Sequence, residues 1–356
     1  MFEALGAVTL FLVLATCLPL LPIGHWSVRG FDFPRLQFAA IATLLLILQA
    51  YFLSFAGIAS WLMVTATLGC LLWQLWWVLP YTPVWRKEVH SCQSQDSDNS
   101  LSILVSNVLM TNRNSKALLA LIHEHNPDVV ITLESDQWWQ DQLDVLLTQR
   151  PHSIKCPLDN LYGMHVYSRF AIENSEIRYL VEDDVPSIHG DLVLRSGNKV
   201  RVHFLHPAPP SPTENSHSTP RDAELLVVAR RVAEQSIPTL ITGDLNDVAW
   251  SRTTRLFRKV SGLLDPRIGR GLFNTFHADY PLVRWPLDHL FHSRHFTLNE
   301  IRPLPNIGSD HFPLYASLTF SPQQGHQQQG IDADAQDKQQ AQEIAAQKPV
   351  TKEDVL

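Results

Sequence analysis

Paired cysteines are missing from this sequence. The four present, Cys17, Cys70, Cys92 and Cys156, are scattered singly, which excludes a zinc ribbon or a disulfide framework as the organising device and leaves the redox compartment unread. A positive charge excess is missing as well. Lys and Arg number 28 against 35 Asp and Glu, a net charge of −7, so the chain is no basic protein that coats nucleic acid. Two absences are local. Leu36 to Leu79 contains no Asp, Glu, Lys or Arg, and Ser321 to Leu356 contains no aromatic residue.

The first local absence predicts a membrane anchor over residues 1–84. Ala4 to Ile23 is nearly continuous apolar sequence, and Leu36 to Leu79 is long enough for two spans with a turn near Ala56-Gly57-Ile58-Ala59; a crossing helix needs about 20 such residues. The first run is no secretory signal, because it lacks a basic leader and carries Glu3. Three spans are therefore expected. Trp73, Trp76, Trp77 and Tyr81 cluster where the last span meets an interface, as amphipathic rings do. Arg29 and Arg35 in the first loop, with Arg86 and Lys87 after the last span, lean the following domain toward the cytoplasmic side. Residues 85–99 read as a polar linker, and the Gln-rich residues 321–356 as disorder or a marginal helix, since they offer little surface to bury.

Between them, residues 100–320 alternate. Ile103-Leu104-Val105, Val129-Val130-Ile131, Val200 to Leu205 and Thr239 to Thr242 read as strands. Lys116 to His125, closed by Asn126-Pro127, and Arg221 to Glu234 read as amphipathic helices. The mixture implies an α/β sandwich of layered sheets with helices outside.

The four strands lead into Asn107, Glu134, His206 and Asp244, and two further segments deliver Asp288-His289 and Ser309-Asp310-His311. Six polar strand ends suggest one shared rim, where rigid elements hold side chains around a pocket. Asn107, Glu134 and Asp310 offer oxygen and no thiolate, a donor set for magnesium, with manganese an alternative. Asp244 and Asn246 lie two apart, so an extended backbone projects them to one side: a carboxylate to orient water beside a neutral donor for phosphoryl oxygens. His206 and His311 suit phosphate contact or proton transfer, and Asp288 suits a carboxylate that fixes the His311 tautomer. His203, His289 and Asp247 read as structural neighbours.

Ser106-Asn107, Leu133-Glu134, Gly243-Asp244-Leu245-Asn246, Pro286-Leu287-Asp288-His289 and Ser309-Asp310-His311 resemble, in order, the motifs of the endonuclease/exonuclease/phosphatase superfamily. His206 is similar to the histidine of the deoxyribonuclease and sphingomyelinase branches. Leu79 to Pro83, His206 to Pro210 and Asp265 to Gly271 resemble a bacterial membrane-anchored subgroup, which implies a multi-pass protein of the inner membrane. The resemblance implies a four-layer α/β sandwich, DNase I-like, of two packed mixed β-sheets flanked by helices and preceded by the transmembrane region. It implies that Glu134 binds the metal with Asn107 and Asp310 assisting. Asp244 would then activate water, Asn246 stabilise the pentavalent phosphorus, and His206 and His311 contact the phosphate, with Asp288 behind His311.

Arg252, Arg255, Arg258, Lys259, Arg267 and Arg270 form a basic cluster against Asp265 alone. It reads equally as a grip on substrate phosphates, most pointedly at Arg267 and Arg270, and as a solvated helix face. Trp250 and Trp285 read as core. Three functions compete: hydrolysis of a nucleic-acid phosphodiester, slightly favoured by the basic cluster and the histidine type; hydrolysis of a phospholipid or sphingolipid diester, or of a phosphomonoester; and an inactive scaffold. The expected partners are the bilayer and a phosphate-ester substrate, with no protein partner implied.

Overall fold

The computed structural model describes residues 1–93, 96–325 and 327–347. Its N-terminal part is a bundle of α1 (Phe2–Cys17), α3 (Arg35–Phe52) and α4 (Ile58–Val78), with a short α2 (Trp26–Arg29) in the first loop. Among the described residues, Phe2–Leu20, Arg35–Phe52 and Ile58–Tyr81 are helical stretches long and apolar enough to cross a membrane. Their outer faces are aliphatic and exposed, while seven-residue spacing turns polar groups inward. Gln49 donates to the hydroxyls of Thr9 and Thr67 at 2.9 and 3.0 Å. One layer nearer the domain, Gln74 donates to Thr16 at 3.0 Å and accepts from Arg35 at 3.1 Å. Between apolar helices such hydrogen bonds fix register, because hydrocarbon offers the polar groups no other partner.

Two sheets follow. The first has the order β10 (Phe296–Pro303), β11 (Leu314–Phe320), β1 (Ser100–Asn107), β2 (Val129–Leu133), β4 (Met164–Ser168), β3 (His152–Cys156), and the second runs β5 (Ala171–Arg178), β6 (Ser187–Val193), β7 (Lys199–Phe204), β8 (Thr239–Asp244), β9 (Asp288–His292). The pairs β1–β2 and β7–β8 are parallel and the others antiparallel. Strand alternation explains the layering. Ile103, Val105, Val129, Ile131, Val200, Val202, Phe204, Leu240 and Leu290 face into the gap between the sheets. Leu104 and Val130 face outward onto α5 (Ser115–His125) and α6 (Gln137–Leu143). Ile241 and Phe291 face α7 (Thr219–Ala233) and α8 (Arg252–Ser261). Helix, sheet, sheet, helix is the four-layer arrangement expected from the sequence. Strands buried on both faces read as continuous apolar runs, which is why these were legible.

The flanking segments differ from expectation. Residues 85–93 are no free linker. Val89 is buried in the intersheet core, His90 and Cys92 exchange backbone hydrogen bonds with Leu298 at 2.9 and 2.8 Å, and Glu88 grips Arg258 through both oxygens at 2.7 and 2.6 Å. The tail is described through residue 347 apart from residue 326, which lies outside the described residues, as do 348–356, and it contains a helix, one of the two forms expected for it. After a short α9 (Pro322–Gly325), Gln328 donates to the carbonyls of Arg294 and Phe296. Helix α10 (Ala335–Ala345) then starts at an Asp334/Asp337 capping box and buries Ala341 and Ala345 against the α7–α8 layer. A surface left apolar by α7 and α8 supplies the burial that the tail's own composition lacks, and small alanines allow close approach.

The helical bundle and the sandwich are joined by direct contacts. Trp250 donates its indole N–H to the Asp32 carbonyl at 2.8 Å, the Tyr81 hydroxyl donates to the Ala249 carbonyl at 2.6 Å, and Arg252 reaches the Leu20 carbonyl. The first loop and the end of α4 thus meet the same face of the domain. That geometry requires an odd number of crossings between Met1 and the domain if the apolar helices span.

Arg258→Ala strands the buried Glu88 carboxylate and costs about 3–5 kcal/mol, lowering the unfolding temperature of the purified protein by on the order of 10 °C. An unchanged thermal melt would show that the pair does not hold residues 85–93 to the domain.

Candidate active site

The inward alternation that builds the core carries polar residues to its mouth. On β1 the series Ile103, Val105 ends at Asn107; on β8 the series Leu240, Thr242 ends at Asp244; on β9 Asp288 precedes Leu290 on the same face. Because β8 and β9 are antiparallel with Asp244 opposite Asp288, and β1 packs against β8 across the gap, these three side chains converge. Asn107 Nδ2 lies 3.2 Å from Asp244 Oδ2. The same alternation turns His289 away. Its ring meets Arg267 and the Asp247 carbonyl on the outer face at 2.7 and 2.8 Å, where burial lowers its pKa to about 3.

Glu134 breaks the alternation. It follows Leu133 with φ +55°, a left-handed backbone that costs a non-glycine residue free energy. The turn aims its carboxylate at the rim, where Oε1 accepts from Asn107 Nδ2 at 2.7 Å. Asn246 also has positive φ, +51°, a conformation asparagine tolerates. Its backbone N–H donates to Asp244 Oδ1 at 2.9 Å, and its amide donates to the Pro207 carbonyl at 3.0 Å. Ser309, which the sequence reading passed over, donates its hydroxyl to the Asn107 carbonyl at 2.8 Å and accepts the His311 N–H at 3.1 Å. It thereby fixes the Asp310-His311 loop to β1.

His311 sits between two carboxylates, with Nδ1 2.8 Å from Asp288 Oδ2 and Nε2 3.4 Å from Asp244 Oδ2. Burial works against its charge, but Asp244 and Asp288 overcome that and raise its pKa to about 10. His206, with Nε2 4.0 Å from Asp244 Oδ2, is lowered to about 4 by burial, Asp244 opposing and His311 reinforcing. The two imidazoles are therefore unlike: one cationic, one neutral. Asp244 meets the cost of burial with His311, His206, the Asn246 N–H and Asn107, and is held below its ordinary value. Burial raises Asp288 despite His311, with Asp244 adding repulsion.

Tyr162 was also missed. Its ring lies 5.3 Å from that of His206, and its hydroxyl donates to Glu214 in a short hydrogen bond. Phe276 stands on the other side, its ring 4.9 Å from that of His311. Neither aromatic belongs to a polar strand end, so nothing in the local sequence marked them.

The tightest acid–imidazole group among the described residues is Asp244, Asp288 and His311, whose ligand atoms lie within 4.8 Å of one another. An imidazolium between two carboxylates has no lone pair for a metal, so this group is an ion-paired triad. The donor set on the other side fits a hard cation. Burial pushes Glu134 up to about 7 against the Asn107 hydrogen bond, and Asp310 and Asp244 add to the rise. Carboxylates crowded until one resists ionisation are what a divalent ion relieves.

Arg267 and Arg270 are corrected by the structure. Arg267 is 0% exposed and pairs with the equally buried Asp265 at 2.9 Å. Arg270 donates to the carbonyls of Pro266 and Val89. Arg267 braces the 265–271 turn against His289, Arg270 staples it to residues 85–93, and neither is free for substrate. Arg258 is likewise paired with Glu88 and Lys259 with Asp337, while Arg252 reaches the Leu20 carbonyl and Arg255 lies over the Trp77 ring. The charge argument that favoured nucleic acid thereby loses four of its six residues. Trp250 is buried between the anchor and Tyr81, whose ring centre is 6.1 Å away. Asp247 is held by Arg221, Ser251 and Thr254, and His203 by His189 at 2.7 Å.

The Endonuclease/Exonuclease/phosphatase family matches residues 104–311. Solved structures similar to the chain include D. rerio TDP2 complexed with a single-strand DNA product (17% identity, TM-score 0.52, covering 62% of this chain and 100% of that one). The human Nocturnin catalytic domain with bound sulfate is 18% identical, with TM-score 0.51 and coverage of 64% and 97%. A family protein from Bacteroides vulgatus is 16% identical, with TM-score 0.52 and coverage of 62% and 99%. At such identities the likeness is one of fold. No curated protein matches. Enzymes of the family generally use a divalent metal ion. The chain belongs to the endonuclease/exonuclease/phosphatase family and is a hydrolase of phosphoric ester bonds.

Proposed function

We propose that the chain is a membrane-anchored, magnesium-dependent phosphodiester hydrolase, with residues 1–84 as its anchor and the rim of the 100–320 domain as its active site. The observation that carries this reading is the placement of Asp244. One buried carboxylate lies 3.2 Å from the amide of Asn107 and 3.4 Å from the imidazole of His311, side chains from opposite sheets and a distant loop.

Glu134, Asp310 and Asn107 would hold the cation, with manganese as a substitute. When bound, it would neutralise phosphate oxygens and lower the pKa of water. Asp244, held ionised by His311 and His206 after burial is met, accepts the proton of the attacking water and sets its direction. The His311 imidazolium places positive charge where the phosphoryl oxygens gather negative charge. Asp288 positions it by accepting from Nδ1. His206 is neutral, so its part is hydrogen bonding from Nε2 rather than charge. Asn246 has one amide hydrogen spent on Pro207, and the other is left for a phosphoryl oxygen. Arg29, Arg35, Arg86 and Lys87 lie on the domain side of the bundle, while the 53–57 turn at its far end carries no Lys or Arg. That asymmetry supports a cytoplasmic domain on the inner membrane.

Two measurements on full-length protein in detergent test the assignment, with bis(4-nitrophenyl) phosphate as substrate. Glu134→Ala abolishes both turnover and the stabilisation by magnesium seen in a thermal melt; a folded variant that keeps either one refutes the metal assignment. Asp288→Asn keeps the fold and KM but lowers kcat by on the order of a hundredfold, because His311 loses its orienting partner. A change in KM alone would place Asp288 in binding instead.

A further inference from the structure

A hairpin joins the rim of the site to the first turn of a membrane helix. Residues 275–285 fold back on themselves: the N–H groups of Thr275 and Phe276 donate to the Trp285 carbonyl at 3.1 and 3.0 Å, and that of His277 to Val283 at 3.1 Å. The base of the hairpin belongs to the active site. The Ala278 N–H donates to the Asp310 carbonyl at 2.7 Å, the Phe312 N–H to Thr275 at 2.8 Å, and the Asp288 N–H to the Thr275 hydroxyl at 3.1 Å. Its tip belongs to the anchor. Gln37, in the first turn of α3, donates to the Leu282 carbonyl at 2.9 Å, and the rings of Phe33 and Trp285 meet edge to face at 5.4 Å.

The tip is apolar and open. Leu282 is 84% exposed, Tyr280 58% and Val283 42%, beside the equally outward Leu36 of α3. A water-soluble loop has no use for three large apolar side chains in a row of four. Next to the start of an apolar helix they continue the surface that faces lipid. Trp85, Arg86 and Lys87, exposed just after the last span, suit the same interfacial plane.

From this geometry we infer that the substrate is a phosphodiester carried in the headgroup of a bilayer lipid, which the 275–285 hairpin meets at the membrane surface. The inference rests on the hydrolase reading above and names its substrate class. From Ala278 to Leu282 the chain spans at most about 14 Å. Apolar interfacial segments sink about 5–10 Å into the headgroup boundary. A tip seated at that depth brings Asp310 and His311 to the level of lipid phosphates without extraction of the acyl chains. Hydrolysis takes one water: its oxygen bonds to phosphorus, one ester P–O bond breaks, and the departing alcohol oxygen takes up a proton. No further reactant is needed.

The test uses full-length protein in vesicles of phosphatidylethanolamine, phosphatidylglycerol and phosphatidylcholine, with lipid products read by mass spectrometry. Soluble bis(4-nitrophenyl) phosphate and single-stranded and plasmid DNA serve as parallel substrates. Leu282→Asp is expected to lower lipid turnover at least tenfold while the soluble ester is hydrolysed within twofold of the parent, and Leu282→Trp to retain lipid turnover. An environment-sensitive dye at position 282 (Leu282→Cys, with Cys17→Ser and Cys92→Ser) should be shielded from aqueous iodide in vesicles. Inert lipids with an active soluble ester overturn the inference, as does lipid hydrolysis indifferent to Leu282→Asp, a dye open to iodide, or cleavage of DNA in place of lipid. Failure on the soluble ester as well removes the active-site reading itself, and the inference falls with it.

Discussion

A carboxylate in hydrocarbon has to be answered by opposite charge or by hydrogen bonds, and Asp244 is the residue at which this protein meets that demand. It ends a buried strand and is itself 1% exposed, so water cannot solvate it. Two imidazoles, an amide and a backbone N–H do so instead. Each of those groups comes from a different part of the chain. The mouth of the sandwich is therefore cross-linked by electrostatics where its hydrophobic packing runs out. The arrangement is costly if any member is lost, and it predisposes the site to bind a tetrahedral anion next to a cation.

Much of this was legible because strand periodicity and residue type agree. Asn107, Asp244 and Asp288 share the inward face of their strands with core positions at intervals of two, so their convergence is implied once the sheets are known to face each other. Glu134 was legible only by motif, since its left-handed φ reverses the side that alternation would assign. Arg267 and Arg270 misled for a related reason. A sequence shows a charge but not its partner, and Asp265, Glu88 and the Val89 carbonyl become partners only in three dimensions. Ser309 was visible only as part of its motif, without a role, and Tyr162 and Phe276 left no trace, because these roles depend on contacts across 35 or more residues of chain.

The termini teach the complementary lesson. Low apolar content predicts disorder only when no prepared surface awaits the segment. Residues 335–345 contribute little beyond alanine methyls, yet α7 and α8 offer them an apolar surface, and Lys259 offers Asp337 a 2.7 Å ion pair. Residues 85–93 likewise pair along β10 through Leu298 and cover an edge that would otherwise be open. Both segments extend the domain beyond the boundaries that composition suggests.

If the apolar helices anchor the chain as proposed, an anchor joined to the domain by these contacts does more than raise local concentration. A flexible linker would let the rim sample all directions, and the tether would then favour no substrate. Here residues 249–252 of the domain meet Leu20, Asp32 and Tyr81 of the helical part, and Gln37 holds the rim hairpin at a second place. The orientation of the site relative to the helices is therefore part of the fold. In a protein whose Arg258, Lys259, Arg267 and Arg270 are engaged within the fold, that fixed orientation is the selective feature of the proposed membrane reading. Binding a polyanion draws on unpaired cations along its length, and these four supply none. A phosphate already lying in the interfacial plane needs only to be met at the right height.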